Sequence, residues 1–203
     1  MRPFTRTAAP GLLASFSKIW GEEYAVKKLE KPNYRFQWKS YKGLRVNLHI
    51  LPALKQMTDE HCAYCDSYPP GHYSDNTVDH FLPKGDPRFY HLVYEWSNLY
   101  FSCASCQAYK KEQHEPTLLR PDEPSFSFSI YFSYDFVEHI IKPNPLATIA
   151  QQARAACSIK LFGLNDAKHV RTRKAFYAEY VIETEKGNSL DLRDFPYRFM
   201  FEP

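Results

Sequence analysis

Glycine is scarce in this chain: seven residues in 203, against fifteen prolines. Flexible Gly-rich linkers are therefore not expected, and the connections should be stiff. No run approaches the roughly 18 apolar residues that span a bilayer, so no membrane segment is expected. Arg2 and Arg6 are followed by no apolar stretch of the secretory kind, so no leader is expected either. A G-x-x-x-x-G-K-[ST] phosphate loop, internal repeats and low-complexity segments are all missing. Cysteine is sparse and odd in number, five in all. Four of the five fall in C-x-x-C pairs, which argues against a disulfide framework and for reduced thiols in a cytoplasmic protein. The net charge is only +3. It permits a nucleic-acid partner without demanding one.

Hydrophobic residues make up 44 % of the chain and aromatics 16 %. That is enough for a packed core. The chain is organised around Cys62-Ala63-Tyr64-Cys65 and Cys103-Ala104-Ser105-Cys106, two C-x-x-C turns separated by 37 residues, 66–102. Two such turns can complete an S₄ tetrahedron suited to zinc, with paired redox dithiols as the other reading. His61 adjoins the first pair and competes as a ligand only if a thiolate is missing.

Residues 11–30 read as an amphipathic helix after Pro10, with Leu12, Leu13, Phe16, Ile19 and Trp20 as its stripe. A second helix is expected over Tyr41–Met57, kinked or shortened by Pro52. A turn-rich insert covers Ser67–Gly71. A strand from Asp75-Asn76 ends at Asp79-His80, and the order strand, loop, strand, helix closes with a helix from Cys103 to about Glu112. Alternation over Ser125–Phe136 predicts a strand or hairpin. A helix over 146–162 should end at Gly163, and another should run from Asn165 or Asp166 to about Lys186. Cys157 reads as a small buried thiol. Lys168, His169, Arg171, Arg173 and Lys174 form a basic cluster, read first as a solvated face and second as a phosphate or partner contact. The aromatic tail 190–203 should dock on the body. These elements divide the chain into a helical segment, 1–58, a core, 59–120, and a closing unit, 121–203.

Between the C-x-x-C pairs lie Asp79-His80-Phe81-Leu82-Pro83-Lys84 and Trp96-Ser97-Asn98-Leu99. Adjacent Asp79 and His80 at a strand end project to opposite sides of the backbone. An imidazole can deprotonate water, and a carboxylate can hold a divalent Lewis acid. Taken together with the two cysteine pairs and Lys110, these motifs resemble an HNH endonuclease. More narrowly they resemble the PtuB-like nucleases of Septu and retron-associated antiphage systems. Leu161-Phe162-Gly163-Leu164-Asn165 with downstream Arg171 is similar to that group as well.

The resemblance implies an α+β fold, a ββα-metal HNH core with a structural zinc, flanked by N- and C-terminal α-helices. It implies His80 as general base, Asp79 as a ligand of catalytic Mg²⁺ or Mn²⁺, and Asn98 as the residue that fixes the loop holding His80. Cys62, Cys65, Cys103 and Cys106 would hold the zinc; Lys84, Lys110 and Lys111 would meet nucleic acid. A PtuA-like ATPase of the SMC/ABC type would be the partner. Gln107 stands where this group carries Asn or His as a metal ligand. Its extra methylene moves the amide oxygen outward by about 1 Å or more, a shift that Mg²⁺ tolerates poorly. His114 is a substitute candidate. The functional expectation is a metal-dependent nuclease, DNA favoured. An RNA-cleaving effector and a zinc-knuckle binding module with a degenerate catalytic site are the alternatives.

Overall fold

The computed structural model describes residues 1–69 and 76–201, a mixed α+β arrangement of helices and three small antiparallel sheets. Pro70, Gly71 and Asp75, which the sequence reading placed in the insert and at the strand start, lie outside the described residues. Helix α1 (Gly11–Glu30) follows Pro10. It stops at Lys31, whose φ of −131° and ψ of 91° are extended, because the following Pro32 disfavours the helical region for the residue before it. Its buried face is Leu13, Gly21 and Tyr24, and Ile19 is 52 % exposed, which corrects the expected stripe. The helix is turned so that Gly21 crosses the 3₁₀ turn Pro87–Leu92. A Cβ on Gly21 would stand 2.1 Å from the His91 carbonyl oxygen.

The second helix does not begin at Tyr41. Ser40–Tyr41 (β1) pairs with Leu44–Arg45 (β2) around Lys42 and Gly43, both at positive φ, 48° and 80°. Two positive-φ residues make the turn that suits a tight hairpin. Helix α2 (Val46–Met57) starts after it and runs through Pro52. The carbonyl that Pro52 leaves without a partner belongs to Leu48, which is 45 % exposed, so solvent can satisfy it.

Strands β3 (Asn76–His80) and β4 (Leu99–Cys103) pair antiparallel, from Asn76 opposite Cys103 to His80 opposite Leu99. Every residue of β4 is buried, which means that the pair is covered on both faces. Leu99 and Phe101 join a cluster with Leu13, Val46, Ile50 and Leu54 of α1 and α2. Tyr100 faces the other way, into a cluster of Tyr64, Leu119, Phe132, Phe162 and the four C-x-x-C cysteines. The strand pair is thus a partition between two cores. Helix α3 (Ala104–Lys110) follows β4 directly.

The expected strand over 125–136 is only partly formed. Phe128–Tyr131 is a helical turn, α4, and only Phe132–Asp135 (β5) is extended, paired with Ile140–Pro143 (β6). Phe126 and Tyr131 stack at 5.7 Å and 10°, a contact that residues five apart on opposite faces of a strand cannot make. Helix α5 (Ile149–Leu161) opens on a capping box of Thr148 and Gln151, and α6 (Ala167–Glu185) opens on the Asp166 carboxylate. Between them Gly163 sits at φ +62°, where a Cβ would come within 2.4 Å of the Tyr109 ring. Cys157 is half-buried rather than fully buried. The tail closes on the first C-x-x-C turn: Arg198 pairs with Asp66 at 2.7 Å, both nearly inaccessible, and Tyr197 donates its N–H to the Asp66 carbonyl at 2.7 Å. Among the described residues no helix is long and apolar enough to cross a membrane.

Candidate metal centre and the buried Asp-His pair

Cys62 and Cys65 lie on the turn after α2, Cys103 ends β4, and Cys106 lies in the first turn of α3. Their four Sγ atoms lie within 4.8 Å of one another and all four residues are buried. Zn–S bonds of about 2.3 Å in a tetrahedron require sulfurs about 3.8 Å apart. Cys65 and Cys103 stand at 3.8 Å. The Cys103 N–H donates to Cys62 Sγ at 3.3 Å and the Cys106 N–H to Cys103 Sγ at 3.4 Å, contacts that favour thiolate over thiol. Hydrogen bonding from Cys106, then Cys62 and Cys65, holds the Cys103 thiol far below its ordinary range, while burial pushes Cys62 up. His61 turns Nδ1 toward the Asp59 carbonyl at 2.5 Å and Nε2 toward the Phe195 carbonyl at 3.0 Å, so both ring nitrogens are engaged with main-chain carbonyls rather than with the cluster. Four buried thiols at this spacing can hold a zinc ion.

One face of β3 places Asp79 in the cysteine-side core. Its Oδ2 accepts the Tyr64 hydroxyl at 2.8 Å and lies 3.2 Å from Lys110 Nζ. Lys110 is fully buried and also donates to the His80 carbonyl at 2.6 Å. Burial raises the Asp79 pKa, opposed by the charge of Lys110 and the Tyr64 hydrogen bond.

The opposite face directs His80 into the helical core. Trp38 stacks on its ring at 5.3 Å and 20°, and Phe36 meets it edge-on at 5.0 Å. His80 Nε2 lies 2.9 Å from the Val93 carbonyl. A carbonyl only accepts, so Nε2 carries the proton and Nδ1 keeps its lone pair. Burial, then the charge of Lys84, lowers the His80 pKa to about 3. Asn98 ties the loop that leaves His80. Its Oδ1 accepts the Leu82 N–H at 2.6 Å, and its Nδ2 donates to the Leu82 and Leu92 carbonyls at 3.3 and 3.0 Å.

The remaining candidates do not converge. Gln107 Nε2 donates to the Val78 carbonyl at 3.4 Å. His114 packs its ring against Phe81 and Phe89, with Nδ1 buried and without a partner among the described residues. Lys84 pairs with Glu112 at 2.5 Å, and Lys111 is exposed at the end of α3. Mg²⁺ needs near-octahedral oxygen ligands. Here the Asp79 carboxylate is already neutralised by an ammonium and Gln107 aims its N–H₂ at the main chain. The residues as arranged do not fit a catalytic Mg²⁺ or Mn²⁺ held by Asp79 and Gln107.

Within the basic cluster of α6, Arg173 and His169 are buried, Lys168 is half-buried, and Arg171 and Lys174 are exposed. Arg173 donates to the His139 and Leu164 carbonyls at 2.9 and 2.7 Å and to Asn165 Oδ1 at 3.0 Å, so it knits the Leu161–Asn165 turn to β6. Sequence reasoning missed this role, as well as the Asp66–Arg198 ion pair and the Tyr34–Trp38 segment that covers His80. Only the last had a sequence signal, aromatics at positions 34, 36 and 38 with polar residues between them. A scan against protein-family models finds no match for this chain, and a search of curated proteins finds no significant one either.

Proposed function

We propose that this protein is a nucleic-acid phosphodiesterase of the HNH kind, with His80 as its general base. The observation that carries this reading is the Val93 carbonyl on His80 Nε2 at 2.9 Å. It sets the tautomer in which Nδ1 can take a proton from water. The water oxygen bonds to phosphorus, one ester P–O bond breaks, and the leaving oxygen takes a proton from solvent. Asn98 holds the loop in register. Lys84 meets the phosphate by exchanging Glu112 for it. Burial is the first cause of the low His80 pKa, so withdrawing Phe36 and Trp38 from the ring would raise basicity toward the ordinary 6.5. A role in antiphage defence with a PtuA-like ATPase partner rests on the sequence resemblance alone.

The Asp79–Lys110 pair favours a second reading. A carboxylate closed off by a buried ammonium suits a zinc-knuckle module that binds nucleic acid without cleaving it. The test is cleavage of plasmid DNA and of total tRNA by the purified protein with Mg²⁺, Mn²⁺ or EDTA, beside His80→Ala. The expected result is cleavage that falls by roughly 10²-fold or more in the variant, the lower range for loss of a general base. Equal cleavage by both proteins, or none under any condition, would remove the phosphodiesterase reading. The tRNA arm decides whether the substrate is RNA.

A further inference from the structure

Between Lys27 and Arg45 the sequence holds seven cations and one acid, Glu30, a local excess of six where the whole chain carries +3. Tyr34, Phe36, Trp38 and Tyr41 are interleaved with them. The fold sorts the two kinds of residue. Tyr34, Phe36 and Trp38 turn inward, where Phe36 and Trp38 lie on His80 and Tyr24 contacts both Tyr34 and Phe36. Lys27, Lys31, Arg35, Lys42 and Arg45 are exposed. Among the described residues, Lys39 is the member of this set with a carboxylate partner, Glu23. The hairpin turn at Lys42-Gly43 presents Lys42 at its tip and Arg45 on its second strand. Of the lysines that the HNH resemblance implied for phosphate contact, Lys110 is buried, Lys84 is paired with Glu112, and Lys111 is exposed at the end of α3.

We infer that the outward face of residues 27–45 is a track for the phosphate backbone of a nucleic-acid strand. The inference rests on the proposed action on nucleic acid, and it names a surface that the motif did not. Phosphates seated on Arg35 lie one residue along the chain from Phe36, which touches the His80 ring. Between that outward face and the imidazole stand Phe36 and Trp38, the two side chains that cover the ring. Cations that bind phosphate release counterions, so affinity should fall steeply with salt.

The test is fluorescence anisotropy, in EDTA, of the full chain with labelled single-stranded DNA and with RNA of the same length. Lys31→Glu/Arg35→Glu/Lys42→Glu changes only exposed side chains, and an unchanged melting curve checks its fold. Arg171→Glu/Lys174→Glu on α6 is the control. The expected result is a loss of about tenfold or more in affinity for the triple variant, and a salt slope shallower by about 2, at about 0.7 per single-strand phosphate contact. The α6 variant should bind as the parent does. Parent-like binding by the triple variant, an equal loss in the α6 variant, or displacement by polyglutamate as effective as by oligonucleotide would overturn the inference. The last outcome would assign the surface to an acidic protein. Binding that depends on the cations of residues 27–45, by a protein that cleaves nothing, keeps the inference and removes the phosphodiesterase reading.

Discussion

A Cys106→Ser variant is expected to purify without stoichiometric zinc and without a cooperative unfolding transition. The four cysteines are the convergence point of three separate pieces of chain: the turn after α2, the end of β4 and the first turn of α3. Tyr64, between the first two cysteines, stacks on Phe162 at 4.0 Å and caps Asp79. Asp66, just after them, anchors the tail through Arg198. Structural zinc in small domains binds with an apparent energy of about 10–16 kcal/mol. A whole domain is stable by about 5–15 kcal/mol. Losing the ion should therefore remove most or all of the stability of this half of the molecule. Elemental analysis should give one zinc per parent chain, and a strong chelator should reproduce the variant's loss of structure. A metal-free parent with an unchanged melting curve would contradict this.

The second large effect is expected from Lys110→Met. The substitution removes an ammonium that is fully buried and leaves Asp79, 3 % exposed, with the Tyr64 hydroxyl as its remaining side-chain donor. Breaking one side of a buried ion pair costs about 3–5 kcal/mol. For a chain of this size that is a fall in Tm of roughly 6–20 °C. The His80 carbonyl also loses the Lys110 N–H that now reaches it at 2.6 Å. Replacing both charges should cost less than replacing one, so Asp79→Asn/Lys110→Met should recover part of the loss. Urea denaturation of the two single variants and the double variant measures this coupling. A Lys110→Met protein within about 0.5 kcal/mol of the parent would show that the pair is not structural.

How much of this was legible in the sequence follows from the range of the interactions. Helices α1, α5 and α6 were readable because local signals bound them: Pro32 after Lys31, Gly163 at positive φ and the Asp166 cap; the Thr148–Gln151 box, which starts α5 at Ile149 rather than at 146, was passed over. The four-cysteine cluster was readable because C-x-x-C spacing carries its own geometry. The hairpin at 40–45 was not, because apolar Val46, Ile50 and Leu54 suggested that the helix extended further back than Gly43 allows. The strand over 125–136 failed for a tertiary reason: the Phe126–Tyr131 stack bends a chain whose alternation alone favours extension. The Asp79–Lys110 contact spans 31 positions in sequence numbering, and no local pattern announces it. A lysine one helical turn beyond Gln107 reads as a surface cation. Only the packing of α3 against β3 shows that it points inward.

The phosphodiesterase reading turns on the state of one ring, and NMR of the His80 imidazole across the acid range tests it most directly. The folded pKa of His80, about 3, is below the unfolded value near 6.5. Between those values the unfolded chain binds a proton that the folded chain refuses. The stability that neutral burial contributes is thus fully present above pH 6.5 and is lost as the pH falls toward 3. The prediction is a neutral ring at pH 7 and still neutral at pH 5, with the proton on Nε2 and Nδ1 unprotonated. A ring that carries its proton on Nδ1 would contradict the account: the Val93 carbonyl would not be setting the tautomer, and His80 would not be the poised base.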